Sequence, residues 1–233
     1  MPRVAVVAAL EREIRPLVAG WRVAQRTWDG REFKFFESES AVAICGGIGP
    51  LAARRACEAV IARYTPEIVI SAGFAGALVA DLKVGDVVVP AKVIDAGDGS
   101  SIMTGMGSGG LVSVAEMATV ERKKVLGVKY DAVAVDMEAA AMAKSAGLRG
   151  VRFAAVKAIS DELDFEIPGV EGSVDDQGRF QEGRFLAGIA LRPWMWGRVA
   201  RMAGNSTRAA GSLSEALRGK IDEYLGAPTQ AAW

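Results

Sequence analysis

Three carboxylates stand where this chain could do chemistry: Glu13, Glu138 and Asp161. Each follows an apolar run that reads as a buried strand, Val4–Ala8, Ala132–Val135 and Phe153–Ile159 in turn. Ligands of open α/β sheets bind beyond the carboxyl ends of the strands. Run parallel, these strands would gather the three acids at one sheet edge, facing a common crevice where protons could be moved. A plainer use competes. Glu11 and Glu13 suit the first turn of a helix, where the macrodipole favours acids. Asp136 suits an N-cap with Glu138 beside it, and Ser160-Asp161 suits the cap of a turn. Spacing alone favours capping.

Any such chemistry proceeds without imidazole. None of the 233 residues is histidine, which removes Ser/His and Cys/His catalysis, HExxH metalloproteases and most imidazole metal sites. No metal and no cofactor is expected, and proton transfer is left to Asp, Glu, Lys, Tyr or Cys. Cys45 and Cys57 lack CxxC spacing and sit among apolar or alanine neighbours, so they read as small core thiols. Lys plus Arg balance Asp plus Glu at 28 each, which argues against a nucleic-acid partner.

Two glycine-containing segments follow strands. Gly47-x-Gly49-x-x-Ala52 has the form of a dinucleotide fingerprint, but the next strand, Ile68–Ala72, does not end in the acid that would hold a ribose. A tight turn that lets helix and strand approach closely is the better reading. Ser71-Ala72-Gly73-Phe74-Ala75-Gly76 reads as a second strand-end turn, equally suited to lining a site or simply to turning.

The elements that must position these residues alternate. Val23–Thr27 and Glu32–Glu37 flank Asp29-Gly30 and predict a hairpin. Ala41–Cys45 is a buried strand leading to a helix that opens at Pro50 and ends at Thr65-Pro66, with Ala53, Ala56, Cys57, Val60, Ile61 and Tyr64 on its apolar face. Val87–Ile94 reads as one strand, Ala96–Gly110 as a mobile glycine- and serine-rich loop, Glu116–Leu126 as a short helix and Met137–Ala146 as an Ala- and Met-rich helix stopped by Gly147. Hydrophobic residues make up 51% of the chain, which excludes disorder. The pattern predicts a single α/β domain over residues 1–225 with a mostly parallel or mixed sheet. Its first apolar run is cut off by Glu11, Arg12 and Glu13, so it is not a signal peptide, and no stretch reaches the ~18 residues of a membrane span. A cytoplasmic protein is expected.

The tail differs from about residue 165. Residues 161–176 carry seven acids and no base, whereas 179–220 carry eight bases against two acids. Within 184–201, Phe185, Leu186, Ile189, Leu191, Trp194, Met195 and Trp196 alternate with arginines. That segment reads either as an interfacial lipid contact or as a helix packed on the fold or a subunit interface with its arginines outward. From Ser206 an amphipathic helix presents Ala210, Leu213, Leu217, Ile221 and Leu225, and residues 226–233 are expected to be disordered.

Six motifs then fall in one order: Val6-Val7-Ala8-Ala9-Leu10-Glu11-Arg12-Glu13, Gly47-Ile48-Gly49, Ser71 to Gly76, Val84-Gly85-Asp86-Val87-Val88, Ala134-Val135-Asp136-Met137-Glu138-Ala139 and Ala158-Ile159-Ser160-Asp161. Over residues 3–165 this resembles the nucleoside phosphorylase/nucleosidase superfamily, in its methylthioadenosine/S-adenosylhomocysteine nucleosidase branch. The tail is similar to hopanoid-associated members, which act on an adenosyl-bearing lipid. The resemblance implies a three-layer fold with a central mixed sheet flanked by helices. It also implies cleavage of the N-ribosidic bond of a 5′-modified adenine nucleoside and a homo-oligomer, a dimer or larger.

By the same resemblance Asp161 binds the base and delivers a proton to N7, kept protonated by desolvation or by nearby carboxylates such as Glu162 or Asp164. Glu138 holds the ribose hydroxyls and Met137 packs on the sugar. Glu13 deprotonates the attacking water, and Ser160 bonds Asp161 or the base. Met117 and Ala118 lie beside adenine, and Gly73, Phe74 and Ala75 line the pocket. Phosphorylases of the superfamily need an anion site. Phe74 replaces a serine and Ser71-Ala72 offers no arginine, which favours water over phosphate as nucleophile, though Arg12 or Arg15 could still hold phosphate. Phosphorolysis of adenosylhopane at a membrane's inner face is the alternative reaction, and a non-catalytic nucleoside-binding or membrane-associated module the alternative class.

Overall fold

The alternation of strands and helices folds into a single mixed sheet between helical layers, described for residues 2–165 and 196–226 of a computed structural model. The first half of the chain forms β1 (Val4–Ala8), α1 (Glu11–Val18), β2 (Arg22–Trp28), β3 (Arg31–Glu37), β4 (Ala41–Cys45), α2 (Pro50–Tyr64) and β5 (Ile68–Ala77). There follow β6 (Val87–Val88), β7 (Lys92–Asp95), β8 (Ser101–Met103), β9 (Gly110–Ser113), α3 (Val120–Tyr130), β10 (Ala134–Asp136), α4 (Ala139–Gly147), β11 (Arg152–Asp161) and α5 (Trp196–Gly226).

Strands β4, β1, β5 and β11 are parallel neighbours, and each is largely apolar on both faces because helices cover both, with Ser71 of β5 and Lys157 of β11 as buried exceptions. On one face Val7, Ile44, Val69 and Ala155 meet Ala56, Val60 and Met142 of α2 and α4. On the other Val6, Ile70 and Val156 meet Ile14 and Leu17 of α1 and Leu213, Leu217 and Ile221 of α5. Each of the Val, Leu, Ile and Met side chains among them contributes roughly 1.5–3 kcal/mol by leaving water. Strand β5 is the organiser. Strand β11 runs along one edge from Ile68 to Gly76, while the other edge pairs with β1 up to Ser71 and then, at Gly76 and Ala77, with antiparallel β10.

Several expectations need correction. Ser71–Gly76 is not a turn but part of β5, kept extended by its unbroken pairing with β11. Val87–Ile94 splits into β6 and β7 around Pro90, which lacks the N–H a ladder needs. Within Ala96–Gly110, β8 pairs antiparallel with β7, and Lys144 ties the turn down through Asp95 at 2.5 Å and Asp98 at 2.7 Å. The helix placed at Glu116–Leu126 begins only at Val120, where the Thr119 hydroxyl accepts from the Arg122 N–H. The helix whose first turn Glu11 and Glu13 suit is α1, with Pro16 tolerated in its short span. The helix expected from Ser206 starts at Trp196 and buries the foreseen Ala210, Leu213, Leu217 and Ile221.

The lipid-contact segment 184–201 lies outside the described residues up to 195, as do residues 166–183 of the tail and 227–233 of the terminus. No helix among the described residues is long and apolar enough to cross a membrane.

The Gly47-x-Gly49 segment is a tight turn. Gly47 and Gly49 have φ of 103° and 93°, open to glycine at little cost. Just before it, a Cβ on Gly46 would lie 2.6 Å from Ala56 Cβ and 2.8 Å from the Ala52 carbonyl oxygen. Gly46→Ala is therefore expected to destabilise the fold by about 1–3 kcal/mol, read as a lower urea midpoint, because α2 must retreat from the sheet.

Candidate active site

The carboxyl ends of β1, β10 and β11 deliver the three acids. Helix α1 starts two residues after β1 and turns Glu13 back over the strand end, where its Oε2 accepts the N–H groups of Ala9 at 3.1 Å and Leu10 at 3.0 Å. Across the sheet, Gly73 of β5 carries no side chain; a Cβ there would lie 3.2 Å from Glu13 Oε2. Gly73 thus clears the space that the Glu13 carboxylate occupies. Burial raises the Glu13 carboxyl above the usual carboxylate range, against the Leu10 N–H and the positive charges of Lys157 and Arg12.

Asp136 and Glu138 bracket the step from β10 into α4. Asp136 Oδ2 accepts the Ala139 N–H at 2.9 Å, as a cap should, and also the ammonium of Lys157 at 2.8 Å. Its Oδ1 accepts the Ser113 hydroxyl, whose oxygen accepts the Ala140 N–H at 3.0 Å. Glu138 is held by backbone: Gly49 N–H donates to Oε1 at 2.9 Å and Met137 N–H to Oε2 at 3.2 Å.

Lys157, on β11 and 1% exposed, is the cation among these acids. Burial works against its charge, yet Asp136, Glu138 and Glu13 outweigh that and hold it above the ordinary lysine range. Glu138 moves up as well, to about 7, through burial and the repulsion of Asp136, with Lys157 and the Gly49 N–H opposing. A carboxyl raised on folding contributes its full stability below its unfolded value of 4.5 and loses it as pH climbs towards 7. Glu138→Gln should therefore match the parent near pH 5 and exceed it by roughly 1–3 kcal/mol at pH 8, as checked by thermal unfolding at both pH values.

Asp161 ends β11. Ser160 Oγ donates to its Oδ1 at 2.7 Å, and the ammonium of Lys123 bonds its Oδ2. The charge expected beside Asp161 was that of Glu162 or Asp164; the structure puts Lys123 there instead, with Glu162 contributing only its backbone carbonyl, 2.8 Å from Lys123 Nζ.

These acids line one cleft of about 220 Å³ together with Phe74, Ala75, Met117, Ala118, Met137 and Ser160. Met117 is half exposed at its rim. Gly73, expected in the lining, does not line it, and neither does any residue of 96–110. Arg12, Asp136 and Lys123 join the lining. Among the described residues, no group of three His, Cys, Asp or Glu side chains is arranged to hold a metal.

Sequence reasoning missed both lysines. Lys157 had a signal, a single cation inside the otherwise apolar run Phe153–Ile159, which calls for a buried anion. Lys123 had none, since nothing local separates it from Lys124. The arrangement offers a buried carboxylate able to take a proton, a backbone-held carboxylate able to accept two hydroxyls, and an acid–ammonium pair at the far wall.

Comparison with known proteins adds three findings. The sequence pattern of the phosphorylase superfamily matches residues 3–126 and 114–184. The 5′-methylthioadenosine/S-adenosylhomocysteine nucleosidase of Shewanella sp. (strain W3-18-1) is 34% identical over 94 residues, 39% of this chain and 41% of that protein. The namesake from Shewanella loihica (strain ATCC BAA-1088 / PV-4) is 32% identical over the same share. The chain thus spans less than half the length of the curated relatives it matches. Among solved structures, the Helicobacter pylori 5′-methylthioadenosine/S-adenosylhomocysteine nucleosidase with butyl-thio-DADMe-Immucillin-A superposes with a TM-score of 0.70 at 19% identity, over 96% of this chain and 99% of that one. The futalosine hydrolase of Helicobacter pylori strain 26695 gives 0.69 at 18%, over 95% and 98%. At these identities the superpositions speak for the fold alone.

Proposed function

The chain belongs to the phosphorylase superfamily, and on that premise we propose that it cleaves the N-ribosidic bond of an adenine nucleoside modified at the 5′ position, with water as the nucleophile. The observation that carries this reading is the convergence of Glu13, Glu138 and Asp161, from three separate strand ends, on one cleft. Glu13, its carboxyl raised by burial, holds a proton more readily than an ordinary carboxylate and so suits the base that takes one from water. Glu138, held at both oxygens by backbone N–H groups, can accept the two ribose hydroxyls without having to reorient. Asp161 faces the purine and hands a proton to N7 as the C1′–N9 bond breaks and its electron pair leaves with the base. Two carboxyl groups on opposite sides of a glycosidic bond divide the work as in inverting glycosidases. Lys157 steadies the negative charge that gathers behind the ribose.

The test incubates the full chain with methylthioadenosine, adenosylhomocysteine, inosine and a lipid adenosyl compound in parallel, with and without phosphate. Free base is followed by chromatography. Adenine with free ribose product, independent of phosphate, is the expected result. Ribose 1-phosphate would replace water by phosphate, a reading favoured by Arg12 in the cleft wall. No base from any substrate would overturn the proposal.

A further inference from the structure

Lys123 is the group in the cleft that this reading leaves without work. It lies in the first turn of α3, where the macrodipole disfavours a cation, and it is only 2% exposed. Both placements cost stability, so the contacts that offset them identify what the residue is for. They are the Asp161 carboxylate and the backbone carbonyls of Glu162 at 2.8 Å and Phe165 at 3.1 Å. Room for the pair comes from Gly76 of β5: a Cβ there would sit 2.8 Å from Asp161 Oδ2 and 3.1 Å from Lys123 Cε. Among the described residues, the other charged groups lining the cleft are Arg12, Glu13, Asp136 and Glu138, and Ser206 is the one residue of α5 that reaches it. Asp161 therefore has Ser160 on one oxygen and an ammonium on the other.

We infer that the acid of this site is the Lys123–Asp161 pair, with Lys123 supplying the proton that Asp161 passes to the departing base. The inference rests on the proposed N-ribosidic cleavage. An ion-paired carboxylate has no proton of its own to give, and the ammonium bonded to it has three. As C1′–N9 breaks, the electron pair stays on the purine, a proton moves from Asp161 to N7, and one moves from Lys123 Nζ to Asp161 Oδ2. Water adds to C1′ and gives its proton to Glu13. The pair ends as amine and carboxylate, and solvent returns the proton to Lys123 while Glu13 releases the one it took. Lys123 acts through Asp161 and is a positioning residue in that sense.

Two variants and two probes test this. Lys123→Arg keeps the positive charge but holds its proton too tightly to give it up. Lys123→Met removes both. The probes are methylthioadenosine, whose base needs a proton to leave, and 4-nitrophenyl riboside, whose leaving group does not. Lys123→Arg is expected to lower kcat on methylthioadenosine by about 100-fold with KM within about twofold, and to leave the nitrophenyl riboside nearly untouched. Lys123→Met should lose at least as much on methylthioadenosine and likewise spare the nitrophenyl riboside. Equal losses on both probes, or full activity in Lys123→Arg, would overturn the inference while leaving the cleavage reading intact. A parent protein that cleaves neither probe would overturn both. Should neither variant fold by circular dichroism, Lys123→Gln, which keeps the length and polarity of the side chain but has no ammonium proton to give, is read on the same two probes, and the same outcomes decide.

Discussion

Asp161→Asn is expected to lower kcat by about 100- to 10,000-fold while KM stays within a few-fold. The amide keeps the size of the carboxyl and can still bond Ser160 and a purine, so binding survives. It cannot receive a proton from Lys123 and pass one on, so the base must leave as an anion. That loss falls on the transition state, which is why it belongs to kcat. Glu138→Ala differs, because it removes a group used both to hold the ribose and to steady the reaction, and both constants should suffer. Steady-state rates of adenine release separate the two patterns. Parent-like turnover in Asp161→Asn would end the role given to this residue.

Lys157→Met is expected to cost about 3–5 kcal/mol of stability at pH 8. Methionine fills the space on β11, but it leaves Asp136, Glu138 and Glu13 buried without a cation. Glu13 and Glu138, already raised by burial, can then become neutral only by holding protons, so their folded values rise further. A carboxyl raised on folding loses stability as pH climbs, so the deficit should be smallest near pH 5 and grow towards pH 8. Urea unfolding of parent and variant at the two pH values measures it. A deficit independent of pH would mean that Lys157 matters for packing and not for charge.

How far the sequence could be read follows from where each signal lies. Buried strands announced themselves because a strand covered on both faces must be apolar throughout, as Val4–Ala8 and Ala41–Cys45 are. β5 misled for the opposite reason. Its small residues look like a turn, yet Gly73 and Gly76 are small to admit the side chains of Glu13 and of the Lys123–Asp161 pair, a requirement set by chain far away in sequence. The acids raised a choice between capping and catalysis that the structure dissolves for Glu13. One oxygen secures the N–H groups entering α1, and the same residue lines the cleft. Lys123 stayed hidden because its partner is 38 residues away, beyond any local pattern.

The last helix has a consequence for how the protein is made. Leu213, Leu217 and Ile221 of α5 complete one face of the sheet, over strands that precede them in the chain. A ribosome therefore leaves the oily side of Val6 and Ile70 covered only by α1 through most of translation, before the rest of their cover emerges. The nascent chain is a natural client for chaperones that mask such surfaces, and truncation ahead of Leu213 would leave that surface open to aggregation.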